Sequence, residues 1–136
     1  MRELAAVLQA ELDVVRELLV VCRQEQDALV ADNIEAIRAA AGRKGELARR
    51  LAVLEEERQR VMAAGPTNAA GPLACRENGD DEVSRLRDAL RQAVRELQEV
   101  NETNRLLARQ SLAYVQKMLS LLLPEGPGPG IMDRRV

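Results

Sequence analysis

Residues 101–123 read NETNRLLARQSLAYVQKMLSLLL, and they continue a heptad that begins near Val83. One column of the repeat holds Val83, Leu90, Leu97, Asn104, Ser111 and Met118. The column three residues on holds Leu86, Ala93, Val100, Leu107, Tyr114 and Leu121. Columns sustained at that spacing predict a long helix packed against other helices. The flanking column is polar through Ser84, Arg91, Gln98 and Arg105, then turns apolar at Leu112 and Leu119, with Val115 and Leu122 beside it. At about 100° per residue the apolar arc there widens to roughly half the circumference, whereas a helix packed on one side uses about 100°. The C-terminal half of this helix therefore offers more apolar surface than one seam uses. A further partner is expected to cover it.

The composition agrees with helices throughout. The chain has 136 residues, the length of one domain, with 46% hydrophobic and 31% charged residues and Tyr114 as its only aromatic. A chain rich in Leu, Ala, Val, Glu and Arg but without Phe or Trp reads as an all-α bundle or coiled coil, not a sheet protein. The net charge is −2 and acids alternate with bases, so no basic face marks a nucleic-acid footprint. No apolar run reaches the ~18 residues of a membrane span, and Met1-Arg2-Glu3 does not open a signal peptide. The expected setting is cytoplasmic, with no membrane insertion. Cys22 on an apolar helical face and Cys75 in an expected loop, with no CxxC and no histidine, make a poor zinc site. They are expected to be a buried small side chain and an incidental loop thiol.

The rest of the chain is punctuated into two shorter helices. Over about 2–31, Val7, Val14 and Val21 form one column, Leu8, Val15, Cys22 and Leu29 the next, and Leu12 with Leu19 a third. Glu11 and Glu25 interrupt this arc, either as rim carboxylates reaching solvent or as partner contacts; the rim is favoured because carboxylates are rarely buried. Ala31-Asp32-Asn33 reads as a tight turn, with Asp32 as N-cap and Glu35 three residues later in a box-like arrangement. A second helix over 33–64 follows, with Lys44 inside its stripe. Gly42 and Gly45 each weaken that stretch by about 1 kcal/mol relative to alanine, and either permit close helix contact or mark a bend. The short turn makes these helices an antiparallel hairpin, with one kinked helix as the alternative.

Gly65-Pro66 ends the second helix, and GPTNAAGPLACRENG through Gly79 reads as a flexible linker over 65–80. Its length allows the third helix to pack back in cis or to exchange with another copy. Asp80, Asp81 and Glu82 supply a cap and first-turn negative charge for a third helix over 81–123, ~60 Å long. Two helices of ~30 residues cannot cover it, so some of its length must overhang. The helical domain thus spans 1–123. The segment 124–136 contains Gly-Pro-Gly-Pro-Gly and is expected to be disordered.

Catalytic chemistry has little to work with. Without histidine there is no Ser–His–Asp triad, no His-based acid–base pair and no Glu-x-x-His carboxylate metal site. The glycines lack the following Lys-Ser/Thr of a phosphate loop, and Glu55-Glu56-Glu57 points around the helix as a solvated face. No enzyme activity, cofactor or metal is expected. The polar residues in the third helix's seam carry more information. Asn101, Asn104 and Ser111 have two readings: register control by buried polar groups, or hydrogen bonding to an incoming peptide. Tyr114 on the same seam is expected to be a core aromatic with its hydroxyl at the edge, and as the sole aromatic it is also a candidate anchor.

Three stretches, in order, carry a resemblance: an acidic-apolar first helix ending in LVADNIEAI, then KGELARRLAVLEEER, then NETNRLLARQSLAYVQKMLSLL. Together they cover most of residues 1–123, and the chain resembles the FlgN family of flagellar export chaperones. The resemblance implies a cytosolic, non-catalytic helical protein that binds the hook-associated junction proteins FlgK and FlgL. It would keep them from assembling early and deliver them to the type III export gate. It would place the client-facing region on Leu106, Leu107, Ser111, Leu112, Val115, Met118, Leu119 and Leu122, with Tyr114 a candidate for client or gate contact. Helix-in-groove recognition of an amphipathic client segment suits such a surface, and no nucleotide is required. Two other readings use the same face: a structural coiled-coil module that makes a homo-oligomer, and an adaptor that sequesters a regulator.

Overall fold

The computed structural model describes residues 2–64 and 73–123, and they form three helices: α1 (Arg2–Ala31), α2 (Ile34–Ala64) and α3 (Leu73–Leu122). Among the described residues there is no strand, so the protein is all-α. α1 is the centre of the arrangement. It packs along both other helices, whereas α2 and α3 approach each other only through side chains. Its apolar columns explain this: Val14, Leu18 and Val21 face Ala40 and Leu47 of α2, while Leu12 and Val15 face Ala93 of α3. Leu51 and Leu97 touch both clusters and close the third side.

Contacts fix the directions. Glu25 meets Lys44 and Glu11 meets Arg58, so α2 runs antiparallel to α1 and the hairpin stands. Leu8 lies beside Leu90, Val15 packs with Ala93, and Cys22 bonds Asn104, so α3 runs parallel to α1. α3 is therefore antiparallel to α2.

The turn between α1 and α2 revises the expected cap. Asn33 N–H donates to the Ala28 carbonyl at 2.9 Å and Asp32 N–H to Leu29 at 3.2 Å, the paired bonds of a Schellman ending. Asp32 holds the left-handed position at φ 56°, which a short polar side chain tolerates better than most. Asn33, not Asp32, is the N-cap of α2: its Oδ1 accepts the Ala36 N–H at 3.1 Å. Glu35 then sits in the first turn, where the helix dipole favours its charge.

α3 begins at Leu73, not near Asp81, so part of the expected 65–80 linker is helical and Cys75 lies in a helix, not in a loop. The physical reason is local: Leu73-Ala74-Cys75-Arg76-Glu77-Asn78 contains no breaker, and Gly79 alone costs only about 1 kcal/mol within a long cooperative helix. The remainder of the linker, 65–72, and the tail 124–136 lie outside the described residues.

The two helical carboxylates are also placed differently from the rim. Glu11 is 3% exposed, with its Oε2 accepting the Arg58 Nε–H at 3.2 Å and its Oε1 left without an aligned hydrogen bond. Glu25 is largely sheltered and receives Lys44 Nζ at 3.0 Å and Asn104 Nδ2 at 3.0 Å. Each carboxylate is paired inside the seam by a cation that crosses from α2. Arg43 of α2 likewise pairs with Glu17. Lys44 belongs in the α2 stripe for this reason.

Neither glycine of α2 is required by contact. A Cβ on Gly42 would meet nothing within 4 Å, and on Gly45 only the Arg49 guanidinium at 3.7 Å, an ordinary separation. Close helix approach is thus not their role. Gly42→Ala is expected to raise stability by about 1 kcal/mol, measured by urea unfolding followed by circular dichroism. At the Glu11–Arg58 pair the two truncations are expected to differ. Arg58→Ala leaves a buried carboxylate alone and costs about 2 kcal/mol or more, whereas Glu11→Leu frees an arginine that reaches water and is near neutral in the same assay.

Candidate functional site

The heptad columns of α3 report on the site directly. From Val83 to Ser111 both columns are sheltered by α1; Val83, Leu86, Leu90, Leu97, Val100, Leu107 and Ser111 are half-buried, and Ala93 and Asn104 are buried. Beyond Ser111 the same columns open to solvent at Tyr114, Met118 and Leu121. The cause is the length of α1. Cys22 stands level with Asn104, so Ala31 is reached about nine residues further along, near the level of Ala113. Past that level α3 has no neighbour among the described residues, and the stretch 112–123 projects ~18 Å.

The projecting segment is apolar on most of its circumference. Leu112 is 58% exposed, Tyr114 66% and Leu121 68%, with Val115, Met118, Leu119, Leu122 and Leu123 also open. Leu106 lies just below, exposed on the flank of the bundle. Water contact over such a contiguous surface is unfavourable at roughly 25 cal/mol per Å², so a partner that covers it gains correspondingly. Ser120 turns its hydroxyl back to the Lys117 carbonyl at 3.0 Å and adds little polarity. The segment 103–123 holds Arg105, Arg109 and Lys117 and no acid. The described helices include none long and apolar enough to cross a membrane.

The structure separates the residues expected at this site. Leu112, Val115, Met118, Leu119 and Leu122 share the open segment with Tyr114, which is exposed and not a core aromatic. Leu107 and Ser111 sit at the foot, where α1 still shelters them. Asn104 is not on the open face. It is 3% exposed and donates Nδ2 to the Cys22 carbonyl at 2.8 Å and to Glu25 Oε1 at 3.0 Å. Those bonds span α1 and α3 at one height only, as a register group does; Lys44 adds α2 to the same cluster through Asn101 Oδ1 at 3.5 Å. Leu121 and Leu123 share the open segment but lie outside the expected set, although Leu121 belongs to the apolar column that ends there.

Cys22, whose carbonyl anchors Asn104, is buried, and burial pushes its thiol above the ordinary value of 9.0, with Lys44 opposing and Glu25 adding to the shift. The folded chain therefore holds the proton more tightly than the unfolded one. Cys22 contributes its full stability below pH 9 and loses it as pH rises beyond that. In a Cys75→Ser background, alkylation of Cys22 at neutral pH is expected to be negligible in the native chain and rapid in denaturing urea, read by intact mass.

A protein-family model, FlgN protein, matches residues 1–128. No curated protein and no solved structure gives a match.

Proposed function

The chain belongs to the FlgN family, a family of flagellar export chaperones and not of enzymes, and from that premise we propose that it binds hook-associated junction proteins of the FlgK and FlgL type through the projecting end of α3. The observation that carries this reading is the loss of α1 as a partner beyond Ser111, while the apolar columns continue to Leu121. A client segment with an amphipathic helical face would take the place that α1 occupies lower down, using the same side-chain spacing. Leu112, Val115, Met118, Leu119 and Leu122 would form the seat, and Met118 would adapt to more than one client sequence.

The mechanism is one of exchange between interfaces. A junction protein's assembly helices expose apolar stripes before polymerisation, and covering them blocks premature self-association. Release would follow when the client's own partners offer a larger apolar interface, so no nucleotide hydrolysis enters. Delivery to the export gate belongs to the same proposal, with Tyr114 as its contact, and places the activity in the cytoplasm. A homo-oligomer formed through the same face would compete with the client for it.

Leu112→Asp with Leu119→Asp is the direct test. Both side chains are exposed, so helix content by circular dichroism is expected to stay unchanged, while capture of purified FlgK or FlgL falls at least about 10-fold, the loss of about 1.4 kcal/mol or more. Unchanged affinity would remove this surface from the client site. Tyr114, as the only aromatic, reports the binding through its own fluorescence.

A further inference from the structure

A second surface lies at the opposite end of the bundle, away from the projecting segment. Between the start of α1, the end of α2 and the middle of α3 is an open groove of about 510 Å³, floored by Leu4, Leu8, Leu90, Val94 and Met62. Among the described residues its charged walls are arginine: Arg58, Arg87, Arg91 and Arg95, with Gln98 closing the far end. Among the described residues no carboxylate lines it, in a chain whose net charge is −2. Arg58 is engaged by Glu11, and Arg91 makes one exposed contact to Asp88 at 3.8 Å, whereas Arg87 and Arg95 have no ion pair among the described residues.

The spacing of these groups defines what fits. Arg87, Arg91 and Arg95 follow at four-residue intervals, which places them in one row along α3, ~6 Å apart and ~12 Å in all. Leu90 and Val94, also four apart, form the adjoining row that faces the groove floor. Guanidinium groups pair with carboxylates through two parallel bonds and are less strongly hydrated than ammonium groups, so a row of arginines beside an apolar strip favours planar carboxylates over a generic anion. We propose that this groove binds a partner protein through an acidic amphipathic helix, with Glu or Asp at four-residue spacing beside an apolar stripe. The carboxylates pair with Arg87, Arg91 and Arg95 while the stripe covers Leu90, Val94 and Met62. The groove ends at Gln98 and the projecting segment begins at Leu112, about 20 Å further along α3, so both surfaces can be occupied at once. This inference does not depend on what binds the projecting segment.

The test uses the full chain and a fluorescein-labelled helical peptide with leucine and alanine on one face and glutamate at every fourth position along its edge. Fluorescence anisotropy is expected to show saturable binding that weakens several-fold between low and high salt. A control peptide with glutamine in place of glutamate is expected to bind at least about 10-fold more weakly, as is the acidic peptide to Arg87→Glu with Arg95→Glu. Both arginines are exposed, so that variant keeps its helix content, and Arg87→Lys with Arg95→Lys is expected to fall between. Leu112→Asp with Leu119→Asp is expected to leave the affinity unchanged, which separates this groove from the client surface. Absence of binding, equal binding of the glutamine peptide, or full affinity in the charge-reversed variant would overturn the proposal. So would binding to phosphatidylglycerol vesicles without binding to the peptide, which would assign the groove to a lipid surface. A doubled mass by light scattering that excludes the peptide would overturn it in favour of a second copy of the chain.

Discussion

The parallel packing of α1 along α3, through Leu12, Val15 and Ala93 and pinned by Asn104 at the Cys22 carbonyl, sets the height at which α3 loses its neighbour. A slip by one turn would move that height by ~5.4 Å and change which leucines face water. Asn104 resists such a slip because its amide finds both the carbonyl and Glu25 at one height only. A polar group in an apolar seam costs stability, and in return it specifies register. The exposed segment is thus defined from inside the bundle.

The same cluster ties in the third helix. Glu25 receives both Asn104 and Lys44, so one carboxylate links α1, α2 and α3. Glu11 and Arg58 repeat the device nearer the other end, between α1 and α2. With α2 and α3 barely approaching each other, α1 is the strut to which both are fixed. That open arrangement leaves the arginine-walled groove at one end and the bare apolar helix at the other. Two surfaces of contrasting chemistry, one apolar and one mixed, arise from one asymmetry of packing.

Much of this was legible in order along the chain. The heptad columns from Val83 onward predicted a long packed helix, and the turn of the flanking column from Arg105 to Leu112 located the widened apolar arc. The breakers at Gly65-Pro66 and Ala31-Asp32-Asn33 marked the helix ends to within a residue or two. The start of α3 was misplaced because Gly79 and the acids after it look like a boundary. In a long helix one glycine is outweighed by the hydrogen bonds on either side. Tyr114 was expected in the core because its column is apolar, but a column says only which side of a helix faces a partner. It does not say whether the partner is still there.

Periodicity, composition and the missing histidines by themselves determined the all-α class, the three helices, the poverty of catalytic side chains and the excess of apolar surface near Leu112–Leu123. These are properties of a single helix and its immediate neighbours in sequence, and they can be read locally. Only the tertiary structure decided that Glu11 and Glu25 are interior, that Asn104 bonds the Cys22 carbonyl and Glu25, that α1 ends beside Ala113 and that Arg87, Arg91 and Arg95 border an apolar groove. Each of those depends on the relative height and direction of helices far apart in sequence. That relation is fixed by packing and buried hydrogen bonds between them, which no local pattern records.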